Sequence, residues 1–373
     1  MKKFFILIAA IMGFVACDDR HGDMKEAIIN DTSEMLIKGH VAMSSFIEVK
    51  NVIPLETSDA SLLGSIEKIV KCKGLIFVKS KGKPLTLFDG NGHFLNTIGS
   101  IGIGPEEYPL LSDFDICEDD VYVLTVDKIQ VYRKNGEWLK SIPISLNASG
   151  LHLIPDGMLL FVLGDKHVVH KLNRDGKEEK STLRRNQTLR LNRAVSFVRY
   201  GEKVLFPMGR SNELLSYDMD ERRFGYINYL ESNDLTNEKE AALMEEASFS
   251  DRQLQDYGFF DGLLANETHI IFPFIKGEKS ALWVKNIQQP ESWAYFFSSL
   301  ENDVTFVPVF DFFRGNVQGD STFLTYVMPY RLKESLEKVP EEKRGVYWKR
   351  MENVLKQTDE EANPIVVEYI IRK

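Results

Sequence analysis

From Glu48 to the end of the chain, apolar and aromatic residues come in short runs separated by polar turns. Ile66 to Cys72, Leu75 to Val78, Leu85 to Asp89 and Phe94 to Ile98 form one group. Phe114 to Ile144 holds a second, with runs at Val121 to Thr125, Ile129 to Arg133 and Trp138 to Ile142, and Leu151 to about Arg184 holds a third. Short runs bounded by Gly, Asn and Asp predict strands. Asn91-Gly92, Asn135-Gly136 and Asp175-Gly176 each stand between two runs, and such pairs predict tight hairpins with positive φ at both central residues. The glycines recur at roughly 40 to 45 residues, the period of a four-stranded propeller blade. Blades close into a ring and so remove sheet edges.

Blades four to six share another device. Val204-Leu205-Phe206-Pro207, Ile270-Ile271-Phe272-Pro273 and Tyr326-Val327-Met328-Pro329 each carry an apolar run into proline, which withdraws a ladder donor and predicts the end of a second strand. The sixth blade has runs at Phe306 to Phe312, Thr322 to Met328 and Ile365 to Ile371, one strand short, and the early run from Val49 to Leu55 is the spare one. The expected fold class is all-β, a six-bladed β-propeller over residues 48–373 closed by the N-terminal strand, with two helical insertions. Asn237 and Glu240 cap the first, to about Glu246. Pro340 opens the second, with Tyr347, Met351, Val354 and Leu355 on one face, a stripe expected to pack on the propeller. Both insertions emerge on one face of the ring, where a binding site is expected.

Ahead of the strands, Lys2 and Lys3 precede a single apolar stretch, Phe4 to Ala16, too short for a bilayer span and built as a secretory signal. It ends in Phe14-Val15-Ala16-Cys17, which resembles the lipobox of bacterial lipoproteins. The resemblance implies a signal peptide over residues 1–16 and lipid attachment at Cys17, followed by a tether over residues 17–47. Asp18 and Asp19 resemble the acidic surface-export signal of some Gram-negative lipoproteins. Outer-membrane attachment through lipid alone, facing the periplasm or the surface, is the expectation.

Charge removes one class of partner. With Lys+Arg 46 and Asp+Glu 55 the chain carries −9, and nucleic acid binding needs concentrated positive charge. Cys72 and Cys117 lack metal-ligand spacing and are expected as small buried apolar residues, with a disulfide as the alternative. A monomer is expected.

The stretch Phe94 to Tyr108, with Gly99, Gly102, Gly104, Pro105, Glu106 and Glu107, followed by Phe114-Asp115-Ile116, resembles the first-blade signature of six-bladed β-propeller lipoproteins related to NHL-repeat proteins. Asn363 to Tyr369 resembles that family's closing strand. The resemblance implies six blades, lipid anchoring and an envelope location, and no particular activity. Gly99-x-x-Gly102-x-Gly104 has the wrong order for a phosphate loop, and Glu106 and Glu107 would repel an anion. A glycine-rich crossing between blades is expected, with Tyr108 either stacking on a ligand or pinning the loop.

Candidate chemistry is sparse. Phe114-Asp115, Phe260-Asp261 and Phe310-Asp311 recur at the expected first strands of blades two, five and six. Three carboxylates in the channel would suit a divalent cation, calcium above all, with Arg314 as a competing neutraliser of Asp311. His167 and His170, three apart on a strand, are expected on opposite sides, and His93, His152 and His269 stand isolated. No nucleophile or metalloprotease motif is present. Arg210, Ser211 and Asn212, then Lys276 to Lys279, then Tyr330 and Arg331 follow the three prolines, and mixed basic, amide and aromatic groups suit a glycan or a partner protein. The leading expectation is a non-enzymatic binding protein for a glycan or envelope protein. The alternative is a metal-dependent hydrolase, lactonase or lyase using the channel carboxylates.

Overall fold

The computed structural model describes residues 36–37, 39–162, 167–183, 197–207, 213–228, 263–276, 279–288, 292–313, 317–318 and 321–372. They form six antiparallel blades in a β-propeller. Blade one is Ile66–Cys72, Leu75–Ser80, Leu85–Phe88 and Phe94–Ile98; blade two is Asp113–Cys117, Asp120–Leu124, Lys128–Arg133 and Trp138–Pro143. Blade three is Ala148–Ile154, Gly157–Val162, His167–Leu172 and Glu178–Leu183; blade four is Val198–Tyr200, Lys203–Pro207, Glu213–Asp218 and Arg223–Asn228. Blade five is Leu264–Ala265, His269–Lys276, Lys279–Asn286 and Ser292–Phe296.

Blade six closes the ring as expected. Val317–Gln318, Phe323–Val327 and Ile365–Ile371 are completed on the outside by Ile47–Pro54, with Ile365 opposite Pro54 and Ile371 opposite Ile47. The innermost strands of blades six and one also pair in parallel, Val317 with Ile69 and Gln318 with Val70, so the last and first blades form one eight-stranded sheet. Glu368 fastens this junction, accepting from Asn51 Nδ2, Lys71 Nζ (2.7 Å) and Thr322 Oγ1 (2.7 Å). Burial pushes its carboxyl up, but these hydrogen bonds and the Lys71 charge outweigh burial and hold it below the ordinary value.

The hairpin glycines act differently from the expectation. Gly92, Gly136 and Gly176 have φ of 91°, 89° and 85°, whereas Asn91, Asn135 and Asp175 stay out of the left-handed region. Each glycine N–H returns to the carbonyl three residues earlier, and the ladder beside each turn slips by one residue. These are type I turns closed by a glycine bulge, not two-residue hairpins. A Cβ at Gly92 would overlap Pro54 O, and one at Gly176 would stand 2.5 Å from Pro143 O. The repeat thus also marks where each blade's turn meets its neighbour's outer strand.

The propeller begins earlier than Glu48. Leu36–Ile37 pairs in parallel with Ala294 and Tyr295, and Val41–Ala42 with Leu300 and Glu301. Met43 and Phe46 are fully buried, Phe46 stacks on Tyr295 at 5.1 Å, and Ser44 N and Oγ both donate to Asp303. Residues 36–37 and 39–46 are therefore a strap on blades five and six, not tether. Cys72 and Cys117 form no disulfide with each other and are half-buried and exposed, so neither is the fully buried residue expected.

The strands at Pro207 and Pro329 end as expected, and the one at Pro273 does not. Pro273 lies inside the strand His269–Lys276, opposite Leu282. Pro329 is the first residue of helix α1, Pro329–Glu337, where its fixed φ suits a helix start. A 3-10 turn, Glu341–Lys343, and helix α2, Val346–Leu355, follow. The α2 stripe packs inward: Met351 is buried, and Tyr347, Val354 and Leu355 join it on the core shared with Leu332 and Leu336. Phe306 to Phe312 is no strand; Val309–Phe312 is a single helical turn, and Val317–Gln318 takes the innermost place. The insertion expected at Asn237 to Glu246 lies outside the described residues.

Candidate functional site

The channel carboxylates stitch blades together. Asp113 accepts from Lys68 Nζ of blade one (2.9 Å) and from Leu151 N of blade three (2.9 Å). Asp115 accepts from Leu153 N (2.8 Å) and faces His152 Nδ1 at 3.1 Å. Burial pushes the Asp115 carboxyl up, but His152 and then Lys68 outweigh it and hold it below the ordinary value. His152 is thus not isolated. Asp311 sits on the helical turn before blade six, 3.5 Å from Arg331, so it does not share Asp115's strand position. Asp261 and Arg314 lie outside the described residues. Among the described residues, no three His, Cys, Asp or Glu side chains are grouped to hold a metal ion. His167 and His170 do not diverge: a bulge between His167 and Val169 breaks the alternation and leaves their rings 6.1 Å apart.

The crossing from blade one to blade two is pinned from beneath. Tyr108 is fully buried, donates to Ile98 O (2.6 Å) and accepts from Leu85 N (3.0 Å). It cannot stack on a ligand; burial raises its hydroxyl to about 12. Tyr132 Oη donates to Glu106 O (2.7 Å), and Gln130 Nε2 donates to Pro105 O and Glu107 O (2.9 Å each). The Glu107 carboxylate turns into the loop, accepting from Gly104 N (2.9 Å) and Ser100 Oγ (3.3 Å). At the apex Ile103 is 96% exposed.

The crossings between blades and the links between second and third strands lie on one side of a propeller, so α1, α2, residues 55–65 and residues 297–313 share a face. Two grooves flank the helices. The larger, about 1030 Å³, runs between Thr57 and Leu62 on one side and Leu336, Arg344, Trp348, Leu355 and Asp359 on the other. Trp348 Nε1 donates to Leu336 O (3.2 Å), and the Arg344 guanidinium lies 4.7 Å from the Trp348 ring. Tyr330 and Arg331 are exposed on the first turn of α1 and touch each other, Arg331 Nε donating to Tyr330 Oη at 3.2 Å. Arg210, Asn212 and Cys17 lie outside the described residues.

The smaller groove, about 550 Å³, lies between residues 300–309 and the C-terminal end of α1. Phe306 on its wall has φ of 64°, a conformation costing a bulky residue on the order of 1–3 kcal/mol. Asn302 holds it there: its Oδ1 accepts from Val304 N and Thr305 N (3.3 and 3.0 Å), and its Nδ2 donates to Thr305 Oγ1 and Val307 O (2.8 Å each). Phe306 thus lies on a turn and not on the strand expected from Phe306 to Phe312, and Trp348 and Arg344 are site residues beyond those expected. Only the turn-forming Asn302 with Thr305 signalled the first, and nothing in the spacing signalled the others.

No curated protein matches the chain. Among solved structures, a putative exported protein of Bacteroides fragilis is similar at 15% identity and a TM-score of 0.70, covering 91% of this chain and 99% of that one; at that identity the likeness is one of fold. A Bacteroides caccae protein of unknown function (14% identity, 62% of this chain and 81% of that one, TM-score 0.39) is more loosely similar. So is PorZ, a surface component of the Porphyromonas gingivalis type-IX secretion system (10% identity, 64% and 27%, TM-score 0.38). The model of a family described only as a domain of unknown function, DUF4934, matches residues 27–369, nearly all of the chain beyond its apolar start, and this protein belongs to that family.

Proposed function

We propose that this protein is an exported, lipid-anchored envelope propeller that binds a glycan or an envelope protein through its helix-bearing face and performs no chemistry on it. The observation carrying this reading is the larger groove, where an indole, a guanidinium, carboxylates and hydroxyl groups line one open cleft, the mixture that orients polar ligands. The apolar start, Cys17 and the exported character given to the Bacteroides fragilis protein support the location. No helix among the described residues is long and apolar enough to cross a membrane, consistent with attachment through lipid. Kinship with NHL-related lipoproteins rests on Phe94 to Tyr108 and Asn363 to Tyr369. Glycan-array and envelope-extract binding with wild type and Trp348→Ala tests the site: binding that Trp348→Ala weakens supports it, and binding indifferent to that change refutes it. Cys17→Ser should release the body from the membrane fraction; a wild-type N-terminus without lipid mass would refute the anchor.

A further inference from the structure

We propose that the smaller groove is a second binding site, separate from the larger one, and that it takes a small amphipathic carboxylate, an apolar body with one acid group. Its volume of about 550 Å³ lies within the roughly 300–1,000 Å³ of small-molecule sites. The walls are mainly apolar: Leu300, Phe306, Val307, Val309, Val339 and Pro340.

The wall is built to stay where it is. Asn302 bonds across the turn that holds Phe306 in the left-handed region, and Ser44 of the N-terminal strap clasps Asp303 from behind. A bulky side chain kept in a costly backbone conformation by surrounding contacts is a recurring mark of ligand sites. Nothing in the ring's closure calls for it, because the other crossings described here are made without a left-handed aromatic residue.

Charge selects the ligand. The groove's two acids are engaged: Asp303 by Ser44 N and Oγ, and Glu301 by Lys343 at 2.7 Å, a pair that spans from one wall to the other. Among the described residues, Lys338 is the lining charge whose side chain has no hydrogen bond or ion pair. It stands at the end of α1, where an acid group would find it while the apolar body lies against Phe306 and Val339.

Isothermal titration of the purified protein with sodium octanoate tests this, with acetate and 1-octanol as the other arms. One octanoate should bind per chain, acetate should not bind, and octanol should bind at least about tenfold more weakly, a difference of about 1.4 kcal/mol. Lys338→Gln, at an exposed position, should weaken octanoate by about tenfold and leave octanol unchanged. Phe306→Gly should weaken both ligands while the protein still melts cooperatively. Trp348→Ala should leave octanoate binding intact; if it abolishes binding, the ligand sits in the larger groove and this proposal fails while the glycan reading stands. Absence of octanoate binding at millimolar concentration, octanol binding as tight as octanoate, or binding indifferent to Lys338→Gln and Phe306→Gly would each overturn it.

Discussion

Two crossings on the same face, residues 99–112 between blades one and two and residues 297–313 between blades five and six, solve one problem in opposite ways. The first turns through Gly99 at φ of 66°, hangs its carbonyls on Tyr132 and Gln130, and is anchored to Ile98 and Leu85 of blade one by Tyr108. The second turns through Phe306 at φ of 64° and hangs on Asn302. Glycine reaches that conformation at little steric cost, whereas phenylalanine is held in it by its neighbours. The first crossing is a relaxed structural joint. The second stores strain beside a groove.

The difference can be broken experimentally. The largest effect should come from Tyr108→Ala, which empties a buried aromatic site and should cost about 3–5 kcal/mol in urea unfolding; Tyr108→Phe, which strands Leu85 N, should cost about 1–3 kcal/mol. A loss below about 1 kcal/mol for Tyr108→Ala would mean the first crossing is not pinned as described. Asn302→Ala should cost about 1–3 kcal/mol, because the Val307 carbonyl and two turn amides lose their partner.

Matched substitutions at the two left-handed positions sharpen the contrast. Gly99→Ala adds backbone strain and brings a Cβ to 2.7 Å from the Tyr132 ring and 2.8 Å from Tyr108, so it should destabilise by at least about 1 kcal/mol. Phe306→Gly relieves strain while giving up partly buried packing, and should change stability by less than about 1 kcal/mol. If both substitutions cost the same, the two crossings are equivalent and the comparison fails.

The smallest effect lies in neither crossing and serves as their control. Glu368 has its folded pKa depressed below the ordinary 4.5, so its contribution is present above that value and fades as pH falls through the folded pKa. At pH 7 Glu368→Gln should melt lower than wild type, and the gap should narrow as pH falls below the ordinary 4.5 and through the depressed folded value, since the wild-type carboxylate is then being protonated. A pH-independent gap would remove charge from the closing junction.

The ring, its closure by Ile47–Pro54, the strands of the first three blades and the buried stripe of α2 were legible in the sequence, because each follows from periodicity and local turn chemistry that neighbours do not overrule. Tyr108 was legible as an alternative: an aromatic after a glycine loop either stacks or pins, and only burial chooses. The Phe-Asp recurrence misled because identical dipeptides do not imply identical strand positions; Asp115 lies on a strand and Asp311 on a helical turn. The strap at residues 36–37 and 39–46 was hidden because its ladders are only two residues long and parallel to distant partners.

By itself, then, the sequence determined what repeats: strands, turn glycines and the apolar faces that must meet, since hydrophobic period and backbone sterics act over a few residues. Tertiary structure alone decided which face carries grooves, which carboxylates are consumed between blades, and why a phenylalanine holds a glycine's conformation. The carboxylates are consumed across blades, as Asp113 is by Lys68 and Leu151, and the turn that carries Phe306 is clasped through Asp303 by Ser44, 259 residues away; no local pattern encodes a contact that exists only once the ring has closed.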